Sequence, residues 1–205
     1  MEKDYFKYYK PNLLIYLTIG LFVLIYIINK NWALSVPIMG LVVAIIIFIT
    51  QRFWKYRPFK WLFWIEDFSG RYEGKLIYHY LDENGNPVSG ELNHVKIICQ
   101  TGSKITIHSF TIKSNGENSS CSVNKGMYVE KTEDEQHFRL IYNYLNEGDI
   151  KQGFSPHYGT EVIKIINKGK DKIIEGFYYT NRIPYQTKGE FKDMKWISNN
   201  INHEF

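Results

Sequence analysis

Two stretches near the start of the chain, Leu13 to Ile28 and Trp32 to Thr50, hold no charged side chain, and only Asn29-Lys30-Asn31 separates them. Nothing later in the chain is as apolar for as long. At about 1.5 Å of rise per residue the two runs extend roughly 24 and 28 Å, against a hydrocarbon core of roughly 30 Å. The pattern predicts two transmembrane helices, with spans 13–28 and 32–50, joined by a turn so short that they form an antiparallel hairpin. Both chain ends then lie on the same side of the membrane. From about residue 69 the period changes from continuous apolarity to alternation. Strands are predicted over Arg71 to Leu81, Leu92 to Cys99, Lys104 to Ile112, Phe138 to Leu145, Glu161 to Ile166, Ile173 to Arg182 and Gly189 to Ile197, with a weaker one within Ser119 to Glu130. Turn chemistry separates them, as in Asp82-Glu83-Asn84-Gly85-Asn86-Pro87 and Ser114-Asn115-Gly116-Glu117. About eight short antiparallel strands suit one sandwich or one up-and-down barrel. The barrel is preferred, because closure removes exposed edges.

The expected fold class is therefore a membrane α-hairpin plus an all-β domain: two N-terminal transmembrane helices followed by a small antiparallel, roughly eight-stranded β-barrel. The expected domains are a hairpin over 1–51, a basic and aromatic interfacial linker over 52–68, a ligand-binding barrel over 69–197 and a tail over 198–205.

Charge sets the orientation. Lys3, Lys7 and Lys10 precede the first run and Arg52, Lys55, Arg57 and Lys60 follow the second, while the turn between them holds Lys30 alone. Positive charge beside a span marks the cytoplasmic face, so the barrel and both termini are expected in the cytosol, on a multi-pass inner-membrane protein. A secretory signal peptide is the competing interpretation, and the absence of a small-x-small cleavage site together with the immediate second run argues against it. The formal net charge of +4 is unevenly divided: eight of the Lys and Arg and only two of the Asp and Glu lie before Glu66, leaving seventeen and nineteen for the rest. The soluble portion is slightly acidic and lacks a basic stripe, which disfavours DNA or long RNA as a partner. Between Arg52 and Phe68, cations interleave with Phe53, Trp54, Tyr56, Trp61 and Trp64, as at a lipid interface. An apolar face packing on protein would have the same composition.

Enzymatic motifs are missing. Cys99 and Cys121 lack metal or redox spacing, the six His are scattered, and no phosphate loop, Gly-x-Ser-x-Gly or paired carboxylates stand out. Neither catalysis, nor a metal, nor a cofactor is expected. The informative feature is the strand faces. Period-two geometry aligns Tyr72, Gly74, Leu76, Tyr78 and Tyr80 on one face; Phe138, Leu140, Tyr142, Tyr144 and Asn146 on another; and Ile174, Gly176, Tyr178, Thr180 and Arg182 on a third. Each runs from apolar or small toward aromatic and polar. Pointing inward, they make an apolar floor and a mouth of phenols with one guanidinium, suited to a small nucleotide through ring stacking and a fork onto phosphate. Tyrosines in these positions also serve simply as packed core.

The segments Tyr142-x-Tyr144-x-Asn146-Glu147, His157-Tyr158-Gly159-Thr160, Gly176-x-Tyr178-x-Thr180-Asn181-Arg182 and Thr187-Lys188-Gly189-Glu190, with Gly70-x-Tyr72-x-Gly74 earlier, carry a family resemblance. Together with the double span, the chain resembles the two-transmembrane, β-strand-rich effectors that accompany cyclic-oligonucleotide synthases in bacterial anti-phage CBASS operons. The resemblance implies a lipocalin-like cytosolic barrel that binds a cyclic dinucleotide, homo-oligomerisation driven by that ligand, and disruption of the inner membrane in the infected cell. It also implies that Thr180 and Arg182 contact the ligand at the mouth, with Tyr78 as aromatic partner and Lys188 as phosphate neighbour. Thr106, Tyr142 and Thr160 form a second tier. This chain departs from the family in inserting Ile183-Pro184-Tyr185-Gln186 before Thr187, which displaces Lys188. The connection Gly148 to Pro156 serves as a lid or as a plain exposed loop. Two other functions fit the same pattern: an effector held silent by its nucleotide and released when phage sequesters it, and a membrane-anchored carrier of an apolar ligand, or a scaffold.

Overall fold

A computed structural model describes residues 5–32, 37–148, 155–168, 171–182 and 185–205. The beginning of the second expected span, most of the connection after Gly148 and the pair Ile183-Pro184 lie outside the described residues. The chain forms two compact units, Met1–Asp67 with Gln100–Ile105, and Phe68–Cys99 with Thr106–Phe205.

In the first unit, α1 (Pro11–Trp32) begins with proline in its first turn, where the missing N–H costs nothing. Among the described residues it is the one helix long and apolar enough to cross a membrane. Only 6% of its most apolar window is buried, so it is not a core helix of this unit. Of the second run, α2 (Ile38–Phe48) continues through a π-helical turn, Ile49–Phe53, as a single apolar stretch below spanning length among the described residues. One long apolar helix and a shorter one in contact with it are therefore established, and the second span is not. Beyond α2 the aromatic segment divides its labour. Trp54, Leu62 and Phe63 are buried with Tyr8 and Tyr9, and the Phe63 and Tyr9 rings meet at a tilt with centroids 4.3 Å apart, while Tyr56 and Trp61 stay exposed. The Tyr9 hydroxyl and Thr50 Oγ1, 2.8 Å apart, join the N-terminal turn to the end of the second helix. Both interpretations of this segment, packing face and interfacial belt, therefore have residues to match.

In the second unit, β1 (Gly70–Leu81), β2 (Pro87–Gln100), β3 (Ile105–Ile112), β4 (Asn118–Asn124), β6 (Phe138–Asn146), β7 (His157–Lys168), β8 (Asp171–Thr180) and β9 (Lys188–Ser198) pair in an antiparallel ring. β1 meets both β2 and β9, and β4 meets both β3 and β6, which closes eight strands into a barrel. The short β5 (Tyr128–Lys131) extends the line of β4 along β6. One weak strand was expected over Ser119 to Glu130, and two appear there, because the chain departs from β-pairing at Lys125 to Met127.

The inward faces are those the alternation predicts. Tyr72, Leu76, Phe138, Leu140, Tyr142, Tyr144, Ile174 and Tyr178 are all buried, and Ile163, Ile165 and Met194 complete the plug at one end. Where the barrel bends, β9 carries one extra residue opposite β8 between Ile174 and Gly176, with Asp193 at φ +54°. Gly176, facing this bulge, sits at φ +154°, and an added Cβ would run into the Val162 carbonyl, so a side chain there would be strained. β2 behaves differently, because it is buried on both faces between His94 and Ile98. Val95 and Ile97 point outward and pack with Phe110 in a second cluster. The tail packs on this side: His203 and Phe205 each lie 5.2 Å from the Phe110 ring, and Glu204 pairs with Arg71.

Candidate functional site

Above the plug the barrel is open, and the space is a cavity of about 540 Å³, within the range of small-ligand sites. Its aromatic wall depends on glycine. Tyr78 lies opposite Gly90 on one side and Gly189 on the other, Tyr178 opposite Gly189, and Tyr144 opposite Gly159. A Cβ at Gly90 would run into the Tyr78 hydroxyl, at Gly159 into the Tyr144 ring and at Gly189 into the Tyr178 ring. Each phenol therefore lies down on its neighbouring strand instead of standing across the barrel, which is the use of cross-strand aromatic and glycine pairs in sheets. This is what keeps the mouth open. Burial, with Glu161 nearby, pushes the Tyr144 and Tyr178 hydroxyls far above the usual tyrosine range, so both remain neutral donors. Gly159→Ala is expected to drive the Tyr144 ring into the cavity, weakening ligand binding several-fold and lowering stability by about 1–3 kcal/mol. Calorimetric titration and urea unfolding of the variant would check both effects.

Of the expected contacts, Tyr78, Thr180 and Arg182 line this one cavity. Thr180 is fixed by the Thr187 amide, which donates to its hydroxyl at 3.1 Å, and the Asn181 amide donates to the Tyr158 carbonyl at 2.8 Å just before Arg182. Tyr142 reaches the cavity only through Glu161, to which its hydroxyl donates. The other expected contacts are not brought in. Lys188 alternates with the inward-facing Gly189, pairs in register with His79, and so stands on the outer face with Thr160, in an outer groove that shares Tyr80, Thr180, Tyr185 and Thr187 with the cavity rim. Thr160 donates to Asn143 Oδ1 at 2.8 Å. Thr106 has the opposite parity to the inward Ser109 and Thr111, and lies five residues from Thr111, roughly 16 Å along the strand. A different lysine takes the place expected of Lys188. Lys113, in step with Ser109 and Thr111, lines the cavity and pairs with Glu117 at 3.3 Å. Of the insertion, Tyr185 also lines the mouth, its ring tilted against Tyr80 with centroids 5.6 Å apart and its hydroxyl donating to Glu83 at 2.8 Å.

The floor is not the apolar one expected. Lys96, completely buried, puts Nζ 2.6 Å from Glu161 Oε2 and 2.9 Å from Ser109 Oγ, and lies 4.2 Å from the centre of the Phe191 ring. Desolvation pulls its pKa down and Glu161 holds it up, leaving an ion pair inside the barrel. His94, two residues earlier on the same face of β2, stacks on Phe191 at 5.3 Å. Burial and the Lys96 charge depress its pKa well below the usual histidine range, so the ring is neutral. Both His94 and Glu161 border the cavity. Sequence reasoning passed over these residues because a lysine or glutamate inside a strand ordinarily marks the solvent face. The available signal was parity: Lys96 shares a face with Ile98, and Glu161 with Ile163 and Ile165.

The cavity thus offers phenol rings for stacking, a guanidinium and an ammonium at one end, and a neutralised ion pair at the other. Among the described residues no group of His, Cys, Asp and Glu suits a metal ion. The family profile of the Cap15 cyclic dinucleotide receptor domain matches residues 63–195, nearly two thirds of the chain and the whole barrel up to the middle of β9. No curated protein and no solved structure matches the chain. With its closed barrel, its cation-tipped cavity and its apolar N-terminal helix, the chain belongs to the Cap15 cyclic dinucleotide receptor family, membrane-associated, ligand-binding effectors of CBASS defence and not a family of catalysts.

Proposed function

We propose that the barrel cavity binds one cyclic dinucleotide, with its phosphates at Arg182 and Thr180 and a base against Tyr78, and that binding drives self-assembly of the helices and disrupts the inner membrane. The observation that carries this is the convergence of Tyr78, Thr180 and Arg182 on a cavity of about 540 Å³ in a barrel of this family. Lys113 supplies a second cation at the rim, the part expected of Lys188. The membrane part rests on α1 and on the second uncharged run of the sequence, Trp32 to Thr50, whose C-terminal part lies in the shorter apolar helix Ile38–Phe53. With the basic residues gathered before α1 and after α2, the barrel faces the cytosol.

Assembly through the helices has a physical route. Apolar faces give spans no drive to associate in lipid, whereas small residues permit close approach of backbones. A Cβ added at Gly20 or Gly40 would meet nothing within 4 Å, so both small residues are free of the rest of their unit. A ligand that favours contact between barrels raises the local concentration of neighbouring helices in the membrane plane. The test combines two measurements. The full chain in lipid nanodiscs is titrated with cyclic di- and trinucleotides, and cell viability is followed with and without a co-expressed synthase. Binding, and toxicity that requires the synthase, are expected. Toxicity without any synthase would reverse the sign of the switch, and no binding to any cyclic nucleotide would end this account.

A further inference from the structure

In a receptor for a doubly anionic ligand, a carboxylate is out of place, yet Glu161 lies on the cavity wall at 4% exposure. It is two residues along β7 from Gly159, the partner of Thr180, and is paired in register with Tyr178. That places it roughly 6.6 Å deeper than the rim contact at Thr180. Its charge is balanced by Lys96, but both of its hydrogen bonds, from Lys96 Nζ and from the Tyr142 hydroxyl, are made to Oε2. Oε1 accepts none among the described residues. A buried polar atom nearby has no partner at all. His94, 3% exposed and bordering the same cavity, keeps Nδ1 3.3 Å from Thr111 Oγ1, while its buried Nε2 has no partner.

The buried His94 Nε2 lacks a partner, which costs free energy until something complements it, and only a group that donates can complement the Glu161 oxygen left without a hydrogen bond. A phosphate cannot, since it is an acceptor and an anion and would meet a carboxylate. The phosphates therefore stay at the guanidinium end, and a nucleotide held there extends its base toward the floor. What a carboxylate oxygen accepts is an N–H.

We propose that Glu161 is the base-reading end of the site: Oε1 accepts a hydrogen bond from the exocyclic amine of one base, with the neutral His94 ring completing the polar floor, so that the receptor selects amine-bearing bases over uracil. Adenine, guanine and cytosine each carry such an amine. Uracil offers a single edge N–H flanked by carbonyl oxygens, and at least one of these would face the carboxylate. Lys96 and Tyr142 hold Glu161 in place without touching the ligand. This selectivity rests on the cyclic dinucleotide reading.

The experiment ranks cyclic di-AMP, cyclic di-GMP and cyclic di-UMP by calorimetric affinity for the full chain in nanodiscs, first as wild type and then as Glu161→Gln. The wild type is expected to bind at least one of the purine ligands about tenfold or more tightly than cyclic di-UMP, the weight of one hydrogen bond to a charged acceptor. A glutamine can turn its amide to donate as well as accept, so the preference should fall to within about threefold. Because Glu161→Gln leaves Lys96 without its counter-charge, the same ranking is made with K96M/E161Q, whose melting curve reports whether it is folded. Loss of preference in either folded variant supports the assignment. A wild type that binds cyclic di-UMP as well as the purine ligands, or a ranking unchanged in both variants, overturns it while leaving the receptor reading intact; a wild type that binds none of a wider panel of cyclic nucleotides overturns both.

Discussion

Glu161→Leu is expected to remove about 3–5 kcal/mol from the stability of the barrel, the ordinary consequence of stranding one member of a buried ion pair. Lys96 has no exposed surface, and its ammonium would keep only Ser109 Oγ and the face of Phe191. Deprotonation would relieve the charge, but forcing the amine to lose its proton at neutral pH carries a cost of its own. Replacing both residues, as in K96M/E161L, removes both charges and should restore most of the loss, since apolar substitutes of similar volume commonly equal or exceed a buried pair in stability. The part not restored belongs to the Tyr142 hydroxyl, which loses its acceptor, and adding Tyr142→Phe should return it. Urea unfolding of wild type, Glu161→Leu, K96M/E161L and the triple variant with Tyr142→Phe forms the series, with unchanged denaturant slopes as the check that the same barrel is being unfolded. A double variant as damaged as the single one would mean that the pair does not behave as a unit.

That ion pair also marks where sequence reasoning stopped. The ring of strands was legible because alternation and turn residues are local properties, and the inward faces of β1, β6 and β8 follow from period two alone. Tyr78, Thr180 and Arg182 were placed on those faces for the same reason, and they meet in one cavity because adjacent antiparallel strands carry their C-terminal and N-terminal ends to the same rim. The floor was not legible. Lys96 and Glu161 are 65 residues apart, on strands that do not pair with one another, and nothing local to either says that the other is there.

Two further differences come from neighbours that the strand itself does not contain. On β2 the apolar Val95 and Ile97 look like core, and they are buried, but from outside, next to Phe110 on the side where the tail packs. The polar His94 and Lys96 therefore take the inward positions. At the start of β9 the inserted residues obscure the register, and the inward position goes to Gly189, which turns Lys188 outward. Lys113 then supplies the second cation from a strand end where a lysine next to a Ser-Asn-Gly turn looks like ordinary solvent-facing charge.

Arg182→Ala is expected to weaken cyclic dinucleotide binding by about 10- to 150-fold, the equivalent of one charge-assisted contact in a partly desolvated site. Its side chain is half-buried at the mouth, against Tyr and Thr side chains, so its charge is screened less than that of an exposed lysine. Lys113→Ala should cost less, because a single ammonium offers no planar fork to two phosphate oxygens and Glu117, 3.3 Å away, offsets its charge. Arg182→Lys should fall between wild type and alanine: it keeps the charge but loses the planar fork that engages two phosphate oxygens together. None of the three changes touches the buried plug, so the melting temperature without ligand should stay near that of the wild type. The upward shift on adding ligand should shrink in proportion to the lost affinity. Titration and thermal unfolding of the same samples therefore separate recognition from folding. If alanine at 182 binds as tightly as arginine, the guanidinium is not a phosphate contact, and the placement of the phosphates at Arg182 fails.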